Sequence, residues 1–130
     1  DSFTYTVNDD NGGSDTGTVN ITVNDNPVAV TDNYAATEDT QLVVNAVDGV
    51  LTNDTDSNLG DTLTITAETI TTTQGGTVVM AADGSFTYDP AAGFDGDDSF
   101  TYTVNDDNGG SDTGTVNITV NDNPDRKSVV

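Results

Sequence analysis

The sequence predicts an all-β protein, an antiparallel seven-stranded β-sandwich, and three observations carry that prediction. Apolar residues alternate with polar ones over short runs, which puts the apolar set on one face of a strand. Clusters of Asn, Asp and Gly, the residues that turns demand, separate those runs. No window of useful length carries the apolar period of about 3.6 residues that marks an amphipathic helix.

The elements follow in order. Residues 28–34, "VAVTDNY", form a first strand and residues 41–46, "QLVVNA", a second. "GVLTND" (49–54) reads as a tight turn before a third strand, "TLTITAETI" (62–70). "GTVVM" (76–80) and "SFTYD" (85–89) pair as a hairpin across Asp83-Gly84. "SFTYTVN" (99–105) and "GTVNITV" (114–120) make the last hairpin around "DDNGGSD" (106–112), whose glycines supply positive φ. Phe86, Tyr88, Phe100 and Tyr102 fall at strand period and are expected in the core rather than at a ligand.

The organisation is set by a repeat. Residues 1–27, "DSFTYTVNDDNGGSDTGTVNITVNDNP", return letter for letter as 98–124. An interval of that length is the size of a small domain, not of a helical solenoid unit. The chain therefore reads as an excerpt from a tandem array. Residues 1–26 are the closing hairpin and linker of a preceding repeat, 27–123 a complete repeat, and 124–130 a divergent tail. Both copies of the hairpin fit one slot in the sandwich. The C-terminal copy is expected to win because its connection to the preceding strand is short. The displaced copy, with Phe3, Tyr5, Val7, Val19, Ile21 and Val23 along one face, is then expected to fray or to form a strand-exchanged homodimer.

Charge narrows the function. The chain has 23 acidic residues against 2 basic ones, a net charge of −21. The basic pair, Arg126 and Lys127, lies in the tail. Within 27–123 there are 15 Asp, 2 Glu and no cation, so the repeat carries −17. No internal salt bridge relieves that repulsion, and a cation from solution has to. Nucleic acid and anionic membrane surfaces are excluded as partners. Without Cys, disulfides do not hold the fold. Without His, Cys or an internal Lys, and with no carboxylate in an apolar setting, the chain is expected not to be an enzyme.

The segments "TEDTQLVVNAVDGVLTNDTD", "GDTLTI" and "GTVVMAADGSFTYDPAAGFDGDDSFTYTVNDDNGG" occur in that order, with "VNDNPVAV" at the junction. Together they resemble the bacterial cadherin-like tandem repeats of large secreted adhesins. The resemblance implies an Ig-like/cadherin-like sandwich, calcium at the domain junctions, and an extracellular, surface-displayed spacer. "VNDNP" is similar to the D-x-N-D-N-x-P junction of cadherins, with Thr22 in place of the leading Asp and Pro27 directly after Asn26. The Arg-Glu-containing motif of animal cadherins is missing.

Strand count locates the acids without reference to any family. Successive loops of an antiparallel sandwich alternate between its two ends. The leading pole then collects the linker residues Asn24, Asp25 and Asn26, Asp54, Asp56 and Asp61 of loop 53–61, Asp83-Gly84, and Asp106 and Asp107. The trailing pole collects Glu38, Asp39, Asp95, Asp97, Asp98 and Asp122. Ca2+ takes about six to eight oxygen ligands on a flexible frame, which such clusters supply. Asp54, Asp56 and Asn58 alternate as in a calcium loop, but Leu59 delays the glycine and no Glu closes an EF-hand.

The leading functional expectation is a calcium-stiffened link between neighbouring repeats of the same chain in an adhesin. A carbohydrate-binding module is the alternative, with Phe94 and Tyr34 as its candidate aromatics and polysaccharide as its partner. Homophilic adhesion to another adhesin module is a third.

Overall fold

A computed structural model describes residues 1–124; the expected tail from residue 125 on lies outside the described residues. The chain folds into two four-stranded sheets and a separate two-stranded hairpin. That hairpin pairs β1 (Ser2–Asn8) with β2 (Ser14–Asn20). The first sheet has the order β3 (Asp32–Thr37), β10 (Ser111–Asn121), β9 (Gly96–Asn105), β5 (Thr64–Ile65). The second has the order β4 (Leu42–Val44), β8 (Phe86–Asp89), β7 (Thr77–Met80), β6 (Glu68–Thr71).

The two sheets face each other, and the alternating residues close the space between them. Phe100, Tyr102 and Val104 of β9 are buried, as are Val116, Ile118 and Val120 of β10, Val78 and Met80 of β7, and Phe86 and Tyr88 of β8. Each such side chain contributes about 1.5–3 kcal/mol when fully buried. The Phe86 ring bridges the layers, meeting Tyr34 edge-on at 5.1 Å and Phe100 at 5.6 Å. The four aromatics expected in the core are all there.

The all-β sandwich holds, with three corrections to its detail. The sandwich has eight strands, not seven, because "TLTITAETI" is two strands in opposite sheets. Leu63 and Ile65 are odd-numbered and Ile70 even, so no single strand turns all three inward. The chain crosses between the layers at that break. Ile65 N–H donates to Ala82 O beside the second sheet, and the next N–H, of Thr66, to Thr103 O in the first. Secondly, the pairing is not wholly antiparallel. First and last strands both run from leading to trailing pole, so β3 and β10 pair in parallel, Asp32 beside Val116 and Thr37 beside Asn121. Thirdly, the first strand begins late. Val28 only bridges Thr55, and β3 starts at Asp32. The second strand, expected over 41–46, spans only Leu42–Val44; a 3-10 turn, Ala46–Asp48, follows it, and the turn expected at 49–54 holds a second, Val50–Thr52.

The C-terminal hairpin copy, β9–β10, completes the sandwich, while β1–β2 stands apart with Phe3, Tyr5 and Val7 exposed. In both copies a tyrosine ring covers the glycine opposite it, Tyr102 on Gly114 and Tyr5 on Gly17. A Cβ at either glycine would overlap the ring. Only the first of these contacts is inside a packed core. Gly114→Val is therefore expected to destabilise the sandwich by about 1–3 kcal/mol through overpacking, whereas Gly17→Val leaves the midpoint unchanged. Urea unfolding followed by tyrosine fluorescence checks this, and equal effects of the two would contradict it.

Candidate metal centre

The leading pole is assembled by three segments: the linker 24–30, the loop 53–61 and the β9–β10 turn. The turn is built around Asp106. Its Oδ1 accepts N–H groups from Asn108 at 2.9 Å and Gly110 at 2.6 Å, and its Oδ2 accepts Asn24 Nδ2 at 2.8 Å. Gly109, at φ 97°, turns the chain back. The identical loop in the separate hairpin folds the same way, with Asp9 accepting from Asn11 and Gly13. Its geometry is thus local, and only the Asn24 bond is tertiary. That bond, with the two backbone ones, holds the Asp106 carboxyl below its ordinary value against the opposing effect of burial.

Loop 53–61 brings Asp56 and Asp61 to the same place. Asp56 Oδ1 accepts the Asn58 N–H at 2.8 Å, and Asp61 Oδ1 accepts Asn108 Nδ2 at 2.8 Å. The second oxygen of each, Oδ2, is buried without a hydrogen-bond partner. One carboxylate oxygen from each of Asp56, Asp61 and Asp106 lies within 4.8 Å of the others. At that separation two like charges repel by about 3 kcal/mol for an effective dielectric of about 20. No Lys, Arg or His exists in residues 1–125 to offset this. Two buried, orphaned carboxylate oxygens of one loop, beside the Asp106 carboxylate of another, fit a hard divalent cation with oxygen ligands.

The rest of the pole fastens the linker. Asp25 Oδ2 accepts the Ser57 hydroxyl at 2.6 Å, and its N–H donates to Asn58 Oδ1 at 2.7 Å. The Ala29 N–H donates to Asp112 Oδ2 at 2.9 Å, and that of Val30 to Asp54 Oδ1 at 2.8 Å. Asn26 stands beside Gly110 and the Asp106 carboxylate. Asp107 is exposed, accepting weakly from the Thr62 N–H at 3.4 Å.

The remaining expected site residues sit elsewhere. Asp54 is turned inward, both its oxygens within 3.0 Å of the Tyr102 hydroxyl, and is outside the three-carboxylate group. Asp83 bonds its own turn at Ser85. At the trailing pole Asp98 is buried and organises the turn 72–76. It accepts from the Thr72 and Tyr88 hydroxyls at 2.6 and 2.7 Å and from the Gln74 N–H at 2.9 Å. Burial alone would raise its carboxyl, but those bonds outweigh it and hold it low. Glu38 is buried, with Oε2 accepting the Asn123 N–H at 3.3 Å, and Asp39 accepts the Gly93 N–H at 2.9 Å. Asp95, Asp97 and Asp122 are exposed. Among the described residues these trailing acids form no group like that of Asp56, Asp61 and Asp106. Phe94 and Tyr34 pack against the core, the latter donating its hydroxyl to Asp48 O at 2.7 Å.

One buried acid escaped the sequence reading, which expected no carboxylate in an apolar setting. Asp32 is buried, its Oδ2 3.3 Å from the Tyr102 hydroxyl that Asp54 also claims. That hydroxyl has one proton for two carboxylates. Burial, with Asp54 nearby, pushes the Asp32 carboxyl up to about 6 against hydrogen bonds from Asn53 and Tyr102. The signal was parity: Asp32 precedes Tyr34 and Ala36 on the inward face of its strand.

The model of the bacterial cadherin-like domain family matches residues 24–122, from the pinned linker to the trailing Asp122. No curated protein matches the chain.

Asp32 generates a pH prediction. Its folded value exceeds the unfolded 3.8, so its contribution to stability is complete below about 4 and is lost as pH rises through 6. In chelator, Asp32→Asn is expected to be more stable than the parent at pH 7, by at most about 3 kcal/mol, with the advantage vanishing by pH 4. Urea unfolding of both proteins across that range measures it. A variant less stable at pH 7 would contradict it.

Proposed function

The chain belongs to the bacterial cadherin-like domain family, and on that footing we propose that it is a calcium-stiffened structural repeat of a large extracellular adhesin. The observation that carries the reading is the group of Asp56, Asp61 and Asp106, which has two orphaned buried oxygens and is joined to the linker through Asn24. Asp56, Asp61 and Asp106 would hold the ion, with Asn24 and Asn26 the linker side chains beside them. Bound Ca2+ would supply the positive charge that residues 1–125 lack.

The chain's own residues do the rest. Asp106 is preset by its turn before anything binds, and Asn24 couples its orientation to the linker. Asp25, Ser57 and Asn58 clamp the linker to the loop that carries Asp56 and Asp61. Val28 and Thr55 exchange backbone bonds at 2.7 and 3.0 Å. Whatever precedes residue 24 is thereby aimed by the pole. A link whose direction is fixed by an ion stays loose where calcium is scarce and stiffens where it is millimolar, as outside the cell. The proposed partners are neighbouring repeats of the same chain. No helix among the described residues is long and apolar enough to cross a membrane.

Thermal melting tests the reading. At calcium about a hundredfold above Kd the folded state gains about 2.7 kcal/mol, which for a domain of this size is a rise of about ten degrees or more in Tm. Magnesium, which demands tighter octahedral geometry, is expected to do far less. Asp56→Asn with Asp61→Asn should abolish the calcium response while raising Tm in chelator, because repulsion is relieved. Superimposable melting curves in calcium and in chelator at matched ionic strength would overturn the reading.

A further inference from the structure

The turn between β9 and β10 carries a reactive step that ion binding does not use. Among the asparagines of the chain only Asn11 and Asn108 are followed by glycine, at the same place in the two copies of the turn. The backbone nitrogen after an asparagine can attack that asparagine's own side-chain carbonyl carbon. A side chain on the following residue hinders the approach, and glycine has none. Asn108 and Gly109 are both exposed at the tip of the turn, and nothing lies within 4 Å of where a Gly109 Cβ would stand. The Asn108 amide also faces the carboxylate group of the leading pole. Its Nδ2 donates to Asp61 Oδ1 at 2.8 Å and to Asp107 Oδ1 at 3.3 Å. From this we infer that Asn108–Gly109 is a modification site, where spontaneous deamidation turns the amide facing Asp61 into a carboxylate.

The Gly109 nitrogen gives its proton to base in solution and attacks Asn108 Cγ. The new C–N bond closes a succinimide ring, the Cγ–Nδ2 bond breaks, and Nδ2 takes up a proton and leaves as ammonia. Water, which reaches the exposed tip freely, then opens the ring at either carbonyl. One opening leaves aspartate and the other isoaspartate, whose main chain runs through Cγ. The balance is one water in and one ammonia out, with no oxidant or cofactor. Asp106 draws the Gly109 N–H as well as those of Asn108 and Gly110, and an anion there opposes loss of that proton. The conversion is therefore slow, a process of ageing.

Its consequence rests on the metal reading above. Asp61 Oδ2 is already buried without a partner, and deamidation removes the Asn108 donor from Oδ1. Either product puts a further negative charge beside Asp56, Asp61 and Asp106, with no side-chain cation in residues 1–125 to meet it. An aged turn is thus less stable without a divalent ion and more dependent on one.

The test uses the full chain with Asn11→Gln, because the two copies give peptides of the same sequence. The folded protein is held in mildly alkaline buffer at body temperature, and peptide mass spectrometry follows the gain of one mass unit as amide becomes acid. Asn108 is expected to convert an order of magnitude faster than any other asparagine, with isoaspartate among the products. Conversion no faster than at asparagines followed by other residues would overturn the inference. Melting of chains of defined charge reads the consequence. In chelator Asn108→Asp is expected to melt below Asn108→Ser, which loses the same donor without adding an anion, and calcium should close the gap. Equal melting of the two in chelator, or a gap that calcium widens, would overturn the added charge at the metal group. The two readings fail separately. A parent chain that melts alike in calcium and in chelator speaks against the ion, whereas the mass gain at Asn108 does not depend on it.

Discussion

Everything in this structure answers to one constraint: residues 1–125 contain no side-chain cation. A carboxylate here can accept from a backbone N–H, a hydroxyl, an amide or water, or it can bind a cation from solution. Most of the architecture around the acids follows from the first three options. Asp106 folds its own turn, Asp98 collects three donor residues of the turn at 72–76, and Asp112 and Asp54 each take a linker N–H. These acids act as structural acceptors that happen to be charged.

The same accounting isolates the place where internal donors run out. Asp56 and Asp61 each spend one oxygen on an amide and keep one buried with no partner, while facing Asp106. A cluster of exposed acids could remain solvated and do nothing. Buried oxygens cannot, since water is excluded from them as well. The energetics that make this pole costly without an ion are those that would make it respond to one. Because the linker hangs on the same groups, the proposed ion binding and the orientation of the linker would be a single event.

Much of this was legible in the sequence, for identifiable reasons. The hairpins at 76–89 and 99–120 are strict two-residue alternations around glycine turns, and they form as read. Alternation of loops between the poles was enough to bring residues 24–26, 56, 61 and 106 to one end. The strand break at Thr66–Ala67 was hidden in "TLTITAETI", which has no turn residue to mark it. Only the shift in parity between Ile65 and Ile70 records it. Asp54 lies outside the three-carboxylate group for a related reason. Spacing along loop 53–61 resembles a calcium loop, but the direction of each carboxylate depends on Tyr102 and Val30, which are distant in sequence. Asp32 was passed over because acids inside a strand are usually turned outward, and here the inward parity was the better guide.

The central claim, that an ion at the leading pole fixes the direction of the linker, is tested most directly by a distance across it. The absence of Cys lets spin labels be placed at Thr18→Cys on the hairpin and Asn33→Cys on the sandwich, and pulsed electron–electron resonance reads their separation. The account predicts a broad distribution in chelator that collapses to one narrow peak in millimolar calcium, with Asp61→Asn keeping it broad. A distribution of the same width in calcium and in chelator would contradict it.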